Sequence, residues 1–130
     1  KNMSHIGIYT TAIQNPDPGL LQATLQAVAQ SLQGQVQTHY LDWYQNKHAV
    51  LGAIFTSALP RGIGVQINAS GGLEFVGDFW GVQAAAQAVQ GEVINTYQAL
   101  AVMQAMQAMG YAVQNLAQAQ NCIAFEGVAA

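Results

Sequence analysis

Apolar and polar positions alternate along several short segments of this chain, a pattern typical of strands with one buried face. In the first, from Ser4 to Ile13, Ile6 and Ile8 lie on one face while Tyr9 and Thr11 lie on the other. The same pattern, or a short apolar run between turn residues, predicts further strands. These are residues 35–41, 49–56, 63–67, 73–79, 111–116 and 121–128.

Two other segments repeat their apolar residues every three or four positions, which predicts helices. The first runs from Pro18 to Gln33, with Asp17 as its N-cap and Pro18 at its first position. Gly34 is the expected stop of this helix. The second covers residues 83–109, where Gly91 is expected to interrupt it and divide it in two.

The order of these elements predicts one α+β domain spanning residues 1–130. Most strands are joined by short turns, at residues 59–62 and 68–72 among others, so the sheet should be mostly antiparallel. We expect about six or seven strands in it, with two helices packed on one face.

The unusual feature of the composition is its small fraction of charged residues. Only 7% of the residues are charged and 52% are hydrophobic, where about 25% charged is usual for a globular domain. A weakly charged surface repels its copies little, which favours self-association or a protein partner. The three cations, Lys1, Lys47 and Arg61, are far apart in the sequence. The chain is therefore not expected to bind nucleic acid or anionic lipid, and it has no apolar run of about 20 residues to span a membrane.

The sequence contains no motif that is typical of a metal or cofactor site. His5, His39 and His48 do not share a metal-ligand spacing with one another or with a cysteine. The glycine-rich segment 62–65 lacks a phosphate-binding lysine and leads into a strand. We therefore predict no metal and no cofactor. The single cysteine, Cys122, and the lack of a signal peptide predict a cytoplasmic protein.

The segment 73–82 carries the main candidate site. It predicts a strand that ends at an aromatic pair, Phe79 and Trp80, followed by Gly81 and a long helix. Asp78 immediately precedes the pair. Aromatic side chains at such a corner can line a pocket or anchor an interface. The candidate binding residues are His5, Asp78, Phe79, Trp80 and Gly81, and Trp43 and Tyr44 add two aromatic rings in a loop.

A possible carboxylate pair, Glu74 and Asp78, gives no catalytic prediction. Residues four apart on a strand lie about 13 Å apart, which is too far to share a proton. We instead expect Glu74 on a solvated strand face and Asp78 in a helix-start or corner role.

Five segments together resemble one known family. They are Met3–Ile13, Gly62–Ile67, Gly77–Val82, Ile94–Leu100 and Met109–Val113. They are similar to the opening strand, central hairpin, acidic-Trp-Trp-Gly corner, last helix and closing strand of the family named hypothetical chloroplast reading frame thirty-five. Phe79 stands where that family usually has its first Trp, and Gln and Ala replace the charged residues of its helices. The family occurs in plastids and cyanobacteria and has no established activity. The resemblance thus implies a fold, a lineage and a location, the stroma in a plastid-bearing organism, and names no reaction. It also supports His5 as a candidate residue, because His5 lies in the first of these segments.

Because the ionisable side chains are few and are not grouped in the sequence, we expect the protein to act by surface contact. The prediction is a non-enzymatic binding or accessory protein of cyanobacterial or plastid type. Two alternatives stay open. One is a small enzyme or ligand-sensing domain with a site near His5, Asp78 and Trp80; the other is a structural subunit of a larger complex. The sequence names no small-molecule ligand.

Overall fold

The computed structural model describes residues 5–113 and 127–129, which form an α+β architecture. Its elements, numbered in chain order, are β1 (Ile6–Gln14), α1 (Pro18–Ser31), β2 (Gln35–Leu41), β3 (Lys47–Thr56), β4 (Leu59–Ile67), β5 (Gly72–Asp78), α2 (Gln83–Ala108), β6 (Tyr111–Val113) and β7 (Gly127–Ala129).

Five strands form one antiparallel sheet in the order β1-β5-β4-β3-β2. The strands β2 to β5 follow one another as a meander. The helix α1 connects the two edge strands, β1 and β2, which run parallel to each other because four antiparallel steps separate them. The predicted α+β class, antiparallel sheet and two helices are confirmed.

The predicted number of six or seven strands in this sheet differs from the structure. Among the described residues, the short strands β6 and β7 pair with each other in a separate two-stranded sheet. The strand β6 follows directly on the long helix α2 and contacts it, so it does not extend either edge of the main sheet. The rest of the predicted closing hairpin lies outside the described residues.

Both helices pack on one face of the sheet. Leu25 and Val28 of α1 and Val93 of α2 share a buried cluster with Ile54 and Phe75 of the strands. A smaller cluster contains Ala53, Tyr40 and Val76. Because successive strand residues point to opposite faces, Ala53 and Val76 lie on the face away from the helices. We call this side of the sheet the helix-free face.

The predicted cap of α1 is confirmed. The Oδ2 atom of Asp17 accepts a hydrogen bond of 2.8 Å from the Leu20 N–H, and Pro18 occupies the first turn. The Asp17 N–H also donates to the hydroxyl of Tyr97, at 2.9 Å, which ties the start of α1 to α2. This contact joins two elements that are far apart in the sequence.

Gly34 follows the end of α1, but it does not stop the helix by adopting a left-handed backbone as predicted. The residue with left-handed backbone is Gln33, with φ of 56°. Gly34 is required by its neighbour, because a Cβ there would lie 2.3 Å from the carbonyl oxygen of Phe55. The glycine thus lets the start of β2 approach β3 closely.

Two further boundaries differ from the predictions. The helix α2 is continuous over 26 residues, and Gly91 is exposed within it with no side-chain neighbour inside 4 Å. The turn predicted at 59–62 is part of β4; the chain reverses at Ser57 and Ala58, between paired Thr56 and Leu59.

Candidate functional site

Asp78 organises one end of the sheet. It lies at the end of β5, on the helix-free face, and only 1% of its surface is exposed. Its Oδ1 atom accepts hydrogen bonds from the backbone N–H of His5 (3.0 Å) and Trp80 (3.4 Å), and its Oδ2 atom accepts one from Trp43 (2.8 Å). One carboxylate therefore joins the start of β1, the β2–β3 loop and the corner before α2. Of the two roles predicted for Asp78, the structure supports the corner role, because the residue at the N-cap of α2 is Val82.

His5 and Trp80 meet beside this carboxylate. Their rings stack with centroids 5.0 Å apart and planes 20° apart. Gly81, which follows Trp80, has a φ of 75°, a conformation that favours glycine and turns the chain toward α2. The structure thus brings together four of the five candidate residues: His5, Asp78, Trp80 and Gly81.

The fifth candidate residue, Phe79, lies in the core. It is 3% exposed, belongs to the cluster beneath the helices, and contacts Tyr9 with ring centroids 5.6 Å apart. Its neighbours Asp78 and Trp80 are turned toward the corner, so the aromatic pair divides between packing and surface.

Arg61 completes this end from the start of β4. Its Nε atom donates to the carbonyl oxygen of Asp78 at 3.1 Å, and its Nη2 atom donates to the carbonyl oxygen of Trp80. Its guanidinium carbon lies 5.2 Å from the centroid of the Trp43 ring, within range of a cation–π interaction. The guanidinium thus holds both tryptophans in place.

A second carboxylate, Asp42, orders the adjacent β2–β3 loop. Its Oδ1 atom accepts from the backbone N–H of Tyr44 (2.8 Å) and Asn46 (3.0 Å), and its Oδ2 atom lies 2.9 Å from His48 Nε2. The hydrogen bond with His48, followed by the one from Asn46, lowers the pKa of Asp42 from 3.8 to about 2. Asp42 is therefore ionised at neutral pH.

Tyr40 packs against this pair. Its ring stacks on the His48 ring with centroids 4.9 Å apart and planes 10° apart. Burial raises the pKa of Tyr40, and the negative charges of Asp42 and Asp78 raise it further. The phenol is consequently neutral at physiological pH.

These observations correct the expectation that the ionisable groups are not grouped. Asp78 and Arg61 are joined through the backbone and Trp43, and the loop that holds Trp43 also holds Asp42 with its partner His48. We call the surface around these groups the Trp43–Trp80 end. It consists of His5, Asp42, Trp43, Tyr44, His48, Arg61, Asp78 and Trp80.

Glu74 lies elsewhere, and its predicted solvated position is wrong. It is 8% exposed, and its carboxylate accepts hydrogen bonds from the amide groups of Gln66 and Asn68, both at 3.1 Å. These bonds tie it to the β4–β5 hairpin. Its role is to hold that hairpin together, away from Asp78.

The chemistry open to the Trp43–Trp80 end is restricted by these bonds. Both oxygens of Asp78 and both of Asp42 accept hydrogen bonds from the protein itself, and Asp78 is shielded from solvent. No group of three His, Cys, Asp or Glu residues placed to hold a metal ion occurs among residues 5–113 and 127–129. The large apolar side chains exposed at this end are the rings of Trp43 and Tyr44.

A groove of about 340 Å³ lies apart from this end. It contains none of the candidate residues. Its lining is mostly apolar and comprises Leu32, Thr56, Ser57, Ala58, Ala85, Ala88 and Val89.

Comparisons of the chain with known protein families, with curated proteins and with solved structures gave no match. The resemblance to the hypothetical chloroplast reading frame family therefore stays a prediction. In the part of the chain that the structure describes, no helix is both long and apolar enough to cross a membrane.

Proposed function

We propose that this is a non-enzymatic binding or accessory protein that contacts a protein partner through the Trp43–Trp80 end. The observation that carries the proposal is the exposure of aromatic rings on a loop whose backbone is fixed. Trp43 is 37% exposed and Tyr44 is 56% exposed. Trp and Tyr are enriched among the residues that dominate binding energy at protein interfaces.

The rigidity of the loop supports this assignment. The backbone N–H of Trp43 is bound by Asp78, and that of Tyr44 by Asp42. A partner that covers the two rings therefore does not have to order the loop, and the entropic cost of association is lower.

The same hydrogen bonds argue against a catalytic role for the carboxylates. A general acid or base must come within direct or one-water contact of its substrate. Asp78 is 1% exposed and Asp42 is 7% exposed, and each already accepts hydrogen bonds from two or more groups of the protein. We assign both of them to holding the shape of this end.

The resemblance to a plastid and cyanobacterial family supports an accessory protein of that type, in the cytoplasm or the stroma. The weak surface charge is compatible either with self-association or with a different protein as partner. A role as a structural subunit of a larger complex would use the same surface and is tested by the same experiment.

The test is a binding comparison between matched variants. The full chain, immobilised, is exposed to extract of its source organism, and the retained proteins are compared with those retained by Trp43→Ala and by Met109→Ala. Met109 is 69% exposed but lies beyond α2, away from the Trp43–Trp80 end. We expect a partner that is retained by the wild type and by Met109→Ala and lost by Trp43→Ala. A partner retained equally by all three proteins would overturn the assignment of the surface.

A ligand-sensing or small catalytic site near His5, Asp78 and Trp80 is the second candidate. It is favoured by the convergence of these residues and by the pairing of His48 with Asp42, since a carboxylate that orients an imidazole is common in acid–base sites. It predicts that a small molecule perturbs the NMR signals of the His5 and His48 rings together. Ligands that perturb neither ring would leave only the binding function.

A further inference from the structure

The strand β1 is an edge of the main sheet, and its sequence lacks the features that usually protect an edge. Monomeric proteins place charged residues or proline on such strands, since unpaired N–H and C=O groups otherwise attract another strand. The nine residues of β1, IGIYTTAIQ, contain no Lys, Arg, Asp, Glu or Pro. Two of its apolar side chains are also unusually exposed, Ile6 at 47% and Ile8 at 57%.

The backbone groups that point outward can be deduced from the register with β5. The N–H of Phe79 donates to the carbonyl oxygen of His5, so His5 directs its backbone groups toward β5. Opposed residues of an antiparallel pair alternate between bonded and non-bonded positions, and the register is uninterrupted from Ile6 to Thr10. Ile6, Ile8 and Thr10 therefore direct their N–H and C=O groups away from the sheet.

These three residues form a self-complementary set. If two copies of β1 run antiparallel with Ile8 opposite Ile8, then Ile6 of each copy lies opposite Thr10 of the other. All outward groups of the three residues are then paired, in a register in which each opposed pair exchanges two hydrogen bonds. The flanking His5 falls opposite Thr11, so no like charges meet across the two-fold axis.

The side chains agree with this arrangement. Ile6 lies opposite Asp78 and Ile8 opposite Val76, so both isoleucines are on the helix-free face. Pairing through β1 would join the helix-free faces of the two copies and place the two Ile8 side chains side by side. Both edge strands have an interrupted register, but β1 pairs without interruption from Ile6 to Thr10, whereas the pairing of β2 is interrupted at its middle, between Gln37 and His39.

We propose that β1 pairs with β1 of a second copy of this chain, centred on Ile8, to form a closed dimer with one continuous sheet. An isologous contact of this kind uses the same strand of both copies and leaves β2 unused, so it does not propagate into a filament.

The test measures mass in solution by light scattering over a range of concentrations, with the full chain. The wild type should move from 13.8 kDa toward twice that mass as the concentration rises. Ile8→Lys should raise the dissociation constant by about tenfold or more, since it places two ammonium groups side by side on the axis. Thr10→Pro removes one outward N–H and no bond to β5, and should also weaken the dimer.

Leu51→Lys is the matched control. Leu51 is 56% exposed, nearly the same as Ile8, but it lies on β3, which has neighbours on both sides. It should leave the dissociation constant unchanged. Far-ultraviolet circular dichroism of each variant at low concentration shows whether the monomer has kept its fold.

The proposal is overturned if Leu51→Lys weakens association as much as Ile8→Lys, if the oligomers grow beyond a dimer, or if the wild type stays monomeric. A dimer that is insensitive to both Ile8→Lys and Thr10→Pro also overturns it. The binding test with Trp43→Ala stands apart from these results, because Trp43 lies on the β2–β3 loop and not on β1.

Discussion

Replacing Asp78 tests whether one carboxylate holds three segments together. In Asp78→Ala, the backbone N–H groups of His5 and Trp43 lose acceptors at 3.0 and 2.8 Å. A hydrogen bond to a charged group contributes about 1.5–3 kcal/mol, so the two together give a loss of about 3–6 kcal/mol. The contact with Trp80, at 3.4 Å, is too long to add much. The total stability of a domain is only about 5–15 kcal/mol, so this is a large fraction.

The assay is urea unfolding at neutral pH, with the free energy of unfolding obtained by linear extrapolation. Asp78→Asn keeps one acceptor oxygen but turns an NH₂ group toward an N–H donor, so we expect a loss between those of the wild type and Asp78→Ala. Asp17→Asn is the control, because it removes another carboxylate while Asn caps a helix as well as Asp does; its change should stay within about 0.5 kcal/mol. If Asp78→Ala does not fold, Asp78→Asn carries the comparison.

A loss below about 1 kcal/mol in Asp78→Ala, with an unchanged dependence on urea, would refute the reasoning. Amide hydrogen exchange gives an independent reading at the two bonded groups. The exchange of the His5 and Trp43 amides should accelerate more than that of amides in the centre of the sheet. Uniform acceleration would show that the carboxylate affects global stability without acting at those contacts.

Three further predictions concern single positions. Gly34→Ala should lower the free energy of unfolding by about 1–3 kcal/mol or more, because its Cβ would meet the Phe55 carbonyl oxygen. Gly91→Ala, in the open part of α2, should instead raise the free energy of unfolding by about 0.5–1 kcal/mol in the same assay. The pKa of Asp42 is lowered to about 2, so the stability that its ionised form contributes is complete above about pH 4 and is lost as the pH falls toward 2. His48→Ala should bring this pKa back toward 3.8. An unchanged titration of the Asp42 carboxyl group, followed by NMR, would contradict the role of His48. Arg61→Gln should make the tryptophan fluorescence more accessible to acrylamide, since both tryptophans of the chain contact Arg61, whereas Lys47→Gln should leave the quenching unchanged.

Local signals in the sequence predicted much of the fold. The strand 35–41 and the hairpin loop around 68–72 were located correctly, because alternation and turn residues are short-range features. The alternation along the strands 63–67 and 73–79 likewise agrees with the register of β4 and β5, which places Phe75 opposite Val65 and Leu73 opposite Ile67 on one face. The turn was wrongly predicted at residues 59–62 because Pro60 and Gly62 are residue types that are common in turns. The actual turn, Ser57 and Ala58, has no such signature, and its position is set by the pairing of Thr56 with Leu59.

The candidate site was found only in part. The corner sequence indicated Asp78 and Trp80, and the resemblance added His5, but Arg61 was missed. The register of β4 and β5 places Gly64 opposite Val76, and its continuation places Gly62 opposite Asp78. Arg61 therefore lies next to the corner. The sequence could have shown this if the turn predicted at residues 59–62 had not placed the start of β4 too late. The pair of Asp42 and His48 carried a similar signal, since both flank the loop of the β2–β3 hairpin.

The scarcity of charge explains why these few ionisable residues matter. A chain with 7% charged residues cannot rely on surface ion pairs, and Arg61, Asp42 and Asp78 instead bind backbone groups where strands end. Buried or half-buried charges with backbone partners cost less to desolvate than unpaired ones, and they fix loops that would otherwise move. The charges therefore serve to hold the Trp43 and Trp80 segments in one conformation. Among the described residues, the apolar rings of this end and the uncharged edge strand β1 are therefore the two surfaces that we propose for contact with another molecule.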